Sequence, residues 1–106
     1  MKIWLDDRRE PAPGWLWVKT PAETIALLEP GEVDELSLDH DLGLWDADGR
    51  EQTGYDVLLW IEEQVVLNGY RPPALAVHSA NSAARERMER AIESIGRYAE
   101  RQPGLW

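Results

Sequence analysis

Short strand-like apolar runs alternate with segments of helical spacing along almost the whole chain, and few folds accommodate that order. Lys2-Ile3-Trp4-Leu5 is a run of strand formers ended by two aspartates, Asp6 and Asp7. Residues 8–14 read as a loop, with Pro11, Pro13 and Gly14. Trp15-Leu16-Trp17-Val18 makes a second strand. Thr20-Pro21-Ala22-Glu23 then opens a helix, with Thr as cap, Pro in the first helical position and Glu closing a capping box. That helix carries Ile25, Leu27 and Leu28 and stops at Pro30-Gly31. Val33, Leu36 and Leu38 suit a third strand ending in Asp39, and residues 44–52, acidic and without periodicity, read as an exposed loop.

Thr53 caps a second helix, whose Val57, Leu58, Ile61, Val65 and Val66 form one apolar stripe and which ends near Asn68-Gly69. Pro72-Pro73 introduces Ala74-Leu75-Ala76-Val77-His78-Ser79, a nearly uncharged run of the kind that is buried on both faces of a sheet. The last helix begins near Asn81-Ser82, keeps Met88, Ile92, Ile95 and Ala99 on one side, and is stopped by Gln102-Pro103-Gly104. The expected fold is therefore α/β, a parallel four-stranded sheet with about three helices on its faces. The first crossover is too short for a helix, because parallel connections usually need about a dozen residues.

With 106 residues and 43% hydrophobic content, the chain can build one core, so a single domain over 1–106 is expected. It has no cysteine, which excludes a disulfide framework and a thiolate metal site. Neither a signal peptide nor a membrane-spanning stretch is legible, and a cytoplasmic location is expected. The net charge of −9 argues against holding duplex DNA on a broad basic face, yet a small phosphate can still reach a site where a metal inverts the local potential. Six tryptophans stand against no phenylalanine. Trp4, Trp17 and Trp60 are expected to fill core and edge positions, while Trp15, Trp45 and Trp106 fall in loops or at the terminus, where one of them could cover a ligand.

In a parallel sheet the ligand lies beyond the carboxyl ends of the strands. Three of the four expected strands end in polar groups: Asp6-Asp7, Asp39-His40-Asp41 and His78-Ser79. Carboxylates gathered there repel one another unless protonated or joined by a cation, and all-oxygen ligands suit magnesium or manganese. Asp6, Asp7, Asp39 and Asp41 are the expected metal ligands. His40 and His78, the only histidines, fall at the same strand ends, where an imidazole can ligate a metal or move a proton. Arg85 sits in the early turns of the last helix, where the macrodipole disfavours a cation unless an anion is near, and Arg8 follows directly on the acid pair.

Asp6-Asp7 after the first strand, Asp39 after the third, Gly54 opening a helix and Ser79-Ala80 after the fourth resemble the receiver domains of two-component response regulators. That resemblance implies magnesium on the acid pair, a phosphoryl acceptor at Asp39 and a switch hydroxyl at Ser79. The chain departs from it in lacking the fifth strand and the lysine that follows it. Leu5-Asp6-Asp7-Arg8, Ser37-Leu38-Asp39-His40-Asp41-Leu42-Gly43, Thr53-Gly54-Tyr55-Asp56-Val57 and Val77-His78-Ser79-Ala80-Asn81 resemble more closely the cyclic-phosphate-processing receiver domains, a divergent, truncated relative. This implies processing of a cyclic or terminal phosphate on a nucleotide or RNA end. The expected phosphate contacts are Arg8, Ser79, Asn81 and Arg85, and the expected catalytic residues are Asp39, His40 and His78, with either His78 or His40 moving the proton. A metal-dependent phosphoesterase is the leading expectation, and a non-catalytic signalling or phosphate-binding module is the alternative.

Overall fold

The structure is a computed structural model that describes residues 1–101. The elements are β1 (Lys2–Leu5), β2 (Trp15–Val18), α1 (Pro21–Leu28), β3 (Glu35–Leu38), β4 (Asp41–Trp45), β5 (Glu51–Thr53), α2 (Gly54–Asn68), β6 (Ala74–Val77) and α3 (Ser82–Glu100). Four strands form a parallel sheet in the order β2-β1-β3-β6, and β4 pairs with β5 in a separate two-stranded sheet. The expected parallel four-stranded sheet with three helices is present, with the receiver-like architecture that the order of elements implied.

Helix boundaries follow the sequence signals. The Thr20 side chain accepts the Glu23 N–H, and Pro21 takes the first helical position of α1. Thr53 and Asp56 form a reciprocal capping box on α2, which ends on Gly69 in the left-handed conformation. The Asn81 side chain caps α3 by accepting the Ala84 N–H. The stop expected at Gln102-Pro103-Gly104, and Trp106, lie outside the described residues.

Residues 6–14 link β1 to β2 without a helix. Nine residues reach roughly 30 Å when extended, more than the ~13 Å length of a four-residue strand, so an open loop suffices for the crossover.

All three helices serve one face of the sheet. Ile3, Leu5, Val18, Leu36 and Leu38 join Leu28 of α1, Val57, Leu58, Ile61 and Val65 of α2, and Met88 and Ile95 of α3 in one buried cluster. The opposite face carries Lys2, Trp4, Trp17, Ser37, Ala74 and Ala76, none of which belongs to that cluster. Among the described residues no helix covers the second face, since the link from β1 to β2 contains none. Likewise β6 is not buried on both faces. It is an edge strand whose Ala74 and Ala76 are exposed on the open side. Trp4, Trp17 and Trp60 are only half-buried, and of these Trp60 packs against the core.

Residues 44–52 are not a loop throughout. They form the arms and turn of the β4–β5 hairpin. The Asp46 carboxylate accepts the N–H groups of Asp48 and Arg50, and Gly49 supplies the positive φ that closes the turn. A register shift between Asp41 and Leu44 breaks the alternation by which a strand is read from sequence.

Candidate functional site

The register places the polar residues that follow the strands. Leu5 pairs with both Val18 and Leu38, and Leu38 pairs with Val77, so these strands end level. The next backbone N–H in each continues the ladder: Asp6 donates to the Val18 carbonyl at 3.1 Å, Asp39 to Leu5 at 2.9 Å and His78 to Leu38 at 2.9 Å. Asp6, Asp39 and His78 therefore stand side by side, one residue beyond the sheet.

The loop after β1 is built around Asp6. Its Oδ1 accepts the N–H groups of Arg8 and Arg9, each at 2.8 Å, and its Oδ2 accepts from His78 Nε2 at 3.0 Å. Two indoles hold the loop from outside: Trp17 Nε1 donates to the Asp6 carbonyl at 2.7 Å and Trp4 Nε1 to the Arg9 carbonyl at 2.8 Å. Burial works to raise the Asp6 carboxyl, but the Arg9 and Arg8 N–H groups and His78 outweigh it and hold it below the usual carboxylate range.

His78 is fixed on three sides. A carboxylate only accepts, so Nε2 carries the proton, which leaves Nδ1 to accept from the Ser37 hydroxyl at 2.7 Å. The ring stacks on Trp4. Burial lowers the His78 pKa by more than the Asp6 carboxylate raises it, so the imidazole is neutral at pH 7.

Asp39 differs from Asp6. Its Oδ1 accepts the His40 N–H at 2.8 Å, yet burial, together with repulsion from Asp6 and Asp41, raises its pKa. Gly54 at the start of α2 lies against it, and a Cβ there would fall 1.8 Å from the Asp39 carbonyl oxygen. Only glycine lets α2 begin so close to the end of β3.

Carboxylate oxygens of Asp6, Asp7 and Asp39 lie within 4.8 Å of one another. They line a cavity of about 540 Å³, within the range of small-molecule sites, together with Arg8, His78 and Ser79. Arg8 is largely exposed, with its Nε 3.6 Å from Asp7 Oδ2. Ser79 is buried, and its Oγ accepts the Asn81 N–H.

Four expected site residues are placed differently. Asp41 lines the cavity but lies outside the three-carboxylate cluster, because it already begins β4; its oxygens face His40 Nδ1 at 2.7 Å and Asn81 Nδ2 at 3.5 Å. His40 does not line the cavity, its imidazole being committed to Asp41. Asn81 and Arg85 do not line it either: the Asn81 side chain caps α3, and Arg85 is exposed a turn further along that helix. In turn, Ser37, Trp4, Arg9, Trp45 and Glu51 belong to the site or its support. Ser37 carried a signal, as a polar residue between Leu36 and Leu38 in an otherwise apolar strand.

Three hard oxygen donors on rigid strand ends can hold a divalent cation, and an arginine at the same cavity can face an anion bound to it. The family described as cyclic-phosphate processing receiver domain matches residues 1–94. No curated protein and no solved structure matches the chain.

Proposed function

We propose, starting from a chain that belongs to the cyclic-phosphate processing receiver domain family, that its cavity binds the cyclic or terminal phosphate of a nucleotide or RNA end and hydrolyses it. The observation that carries this is the convergence of Asp6, Asp7 and Asp39 on a cavity that Arg8 also lines. The donor set fits magnesium or manganese, because carboxylates are hard ligands and a cation offsets both the burial that chiefly raises Asp39 and its repulsion from Asp6 and Asp41. Such an ion would polarise a phosphoryl oxygen and make a bound water more acidic.

The protein's own groups supply the rest. Hydrolysis adds water across a P–O bond, so one proton leaves the attacking water and one reaches the released oxygen. Asp39 and His78 both line the cavity, and either can accept the first and return it to the released oxygen, which closes the proton balance. His78 does so only at Nδ1, by displacing the Ser37 hydroxyl, since its Nε2–H is held by Asp6. Arg8 offsets the charge that grows on phosphorus, and Ser79, just after β6, brings a hydroxyl to the cavity lining.

The test is a panel of 2′,3′-cyclic nucleotides, cyclic dinucleotides and RNA ends bearing a cyclic phosphate, assayed with magnesium or manganese. Turnover should fall to background in Asp39→Asn and by ~10²–10⁴-fold in His78→Ala, the usual worth of a general acid or base. If nothing is cleaved while phosphate still binds near Arg8, the protein is a phosphate-binding module.

A further inference from the structure

Among the five described tryptophans, Trp45 alone is exposed, at 61%, whereas Trp4, Trp15, Trp17 and Trp60 are all half-buried. Each of those four has an aromatic ring or a hydrogen-bond acceptor against its indole. Trp45 has neither among the described residues. The β4–β5 hairpin does not need it for its own packing, since the hairpin buries Leu42 and half-buries Leu44 instead. Yet Trp45 lines the same cavity as Asp7, Arg8 and Asp39. An unpaired aromatic face at the mouth of a polar cavity is a stacking surface for a flat ring.

Glu51 says more about that ring. It stands directly opposite Trp45 in the hairpin register and lines the same cavity. Its carboxylate has no hydrogen-bond or ion-pair partner among the described residues. Glu51 lies outside the three-carboxylate cluster that fits a cation, so its carboxylate repels phosphate and at this end of the cavity favours N–H donors rather than the anion. A nucleobase offers both features, a π face and an N–H edge. Guanine suits best, because its adjacent N1–H and N2–H groups meet both carboxylate oxygens, whereas the lone N3–H of uracil lies between two carbonyls that a carboxylate repels.

We infer that the cavity is bipartite: the phosphate goes to the Asp6, Asp7, Asp39 and Arg8 end, while the base stacks on Trp45 with its N–H edge toward Glu51, which selects guanine. This rests on the phosphate binding proposed above. It excludes a bare sugar phosphate as the preferred ligand.

Calorimetric titration with magnesium present tests it, using inorganic phosphate, ribose 2,3-cyclic phosphate, guanosine and uridine 2′,3′-cyclic phosphates, and a trinucleotide RNA ending in guanosine cyclic phosphate. The guanosine nucleotide should bind the wild type more tightly than the base-free ribose phosphate, by roughly 5- to 100-fold, the range of one base–aromatic stack. Trp45→Ala should remove that difference and leave phosphate affinity unchanged, Trp45→Tyr should keep most of it, and Glu51→Gln should erase the guanosine preference over uridine. Tighter binding of the trinucleotide assigns the RNA end as the source and equal binding assigns the free nucleotide, and both support the platform. Equal wild-type affinity for the ribose phosphate and the guanosine nucleotide overturns the inference while leaving phosphate binding intact. If phosphate and every phosphorylated probe fail to bind, the functional proposal itself is lost and this inference with it.

Discussion

The rings of Trp4 and His78 lie face to face, with centroids 3.6 Å apart and planes within 5° of parallel. The stack couples two loops of the site, because the same Trp4 indole holds the Arg9 carbonyl and the same His78 holds the Asp6 carboxylate. Trp4→Phe keeps an aromatic face but loses the N–H, and should cost about 1 kcal/mol of stability in urea denaturation. Trp4→Ala removes the stack as well and should cost roughly 2–4 kcal/mol. If Trp4→Ala proves as stable as the wild type, the stack does not hold the site together.

Of the glycines described, Gly54 has the least room for a side chain, because α2 starts against the Asp39 carbonyl. Gly54→Ala gains helix propensity in principle, yet its Cβ would press on the Asp39 carbonyl, with Met88 Cε also only 3.1 Å away. Overpacking of this kind should destabilise the fold by ~1–3 kcal/mol and shift Asp39 away from Asp6 and Asp7. Magnesium affinity, measured by calorimetry, should fall with it. An unchanged or raised melting temperature would show that α2 can retreat without cost.

The pH dependence of stability separates His78 from Asp39 in metal-free protein. His78 is lowered from 6.5, so on acidification the unfolded chain binds its proton first, and stability falls as pH drops below 6.5 toward the folded value. Asp39 is raised from 3.8, so its contribution has the opposite sign: present below 3.8 and lost as pH rises through the folded value. Between pH 7 and 5.5 the wild type should lose at most about 1.4 kcal/mol per pH unit for one proton. His78→Gln should flatten this loss, and Asp39→Asn should be more stable than the wild type at pH 7. A His78→Gln profile that matches the wild type would mean that the imidazole titrates as in water.

Metal should offset the burial and the repulsion from Asp6 and Asp41 that together raise Asp39. Magnesium or manganese should increase the wild-type melting temperature by an amount that grows with concentration over Kd, and the increase should be much smaller in Asp39→Asn. Absence of binding at millimolar metal would remove the cation from the account.

Neither lysine lines the cavity: Lys2 pairs with Glu35, and Lys19 lies over the Trp17 ring. Stable phosphorylation of Asp39 by acetyl phosphate is therefore expected to be poor, as read by mass spectrometry of the intact protein. A high-yield adduct at Asp39 would favour a signalling module over a hydrolase.

The parts of this protein that the sequence determined by itself are those governed by neighbours along the chain. Thr20, Thr53 and Asn81 cap helices because a side-chain oxygen two or three residues away reaches an orphan N–H. That Asp6, Asp7, Asp39, His78 and Ser79 share one end of the sheet was legible because they follow apolar runs, and in a parallel sheet the ends of such runs gather. What only the tertiary structure decided depends on residues far apart in sequence. His78 meets Ser37 across 41 positions and Asp6 across 72, and which of its nitrogens faces which partner follows from strand register and the Trp4 stack. Asp41 was a further expected ligand from its place two residues after Asp39, but a hairpin begins there and sets it outside the cluster. The same hairpin, hidden by its irregular register, carries Trp45 and Glu51 to the cavity. Local propensity decides which elements form; pairing between distant strands decides which of their polar ends share a site, because that choice is settled by burial and hydrogen bonding over the whole sheet.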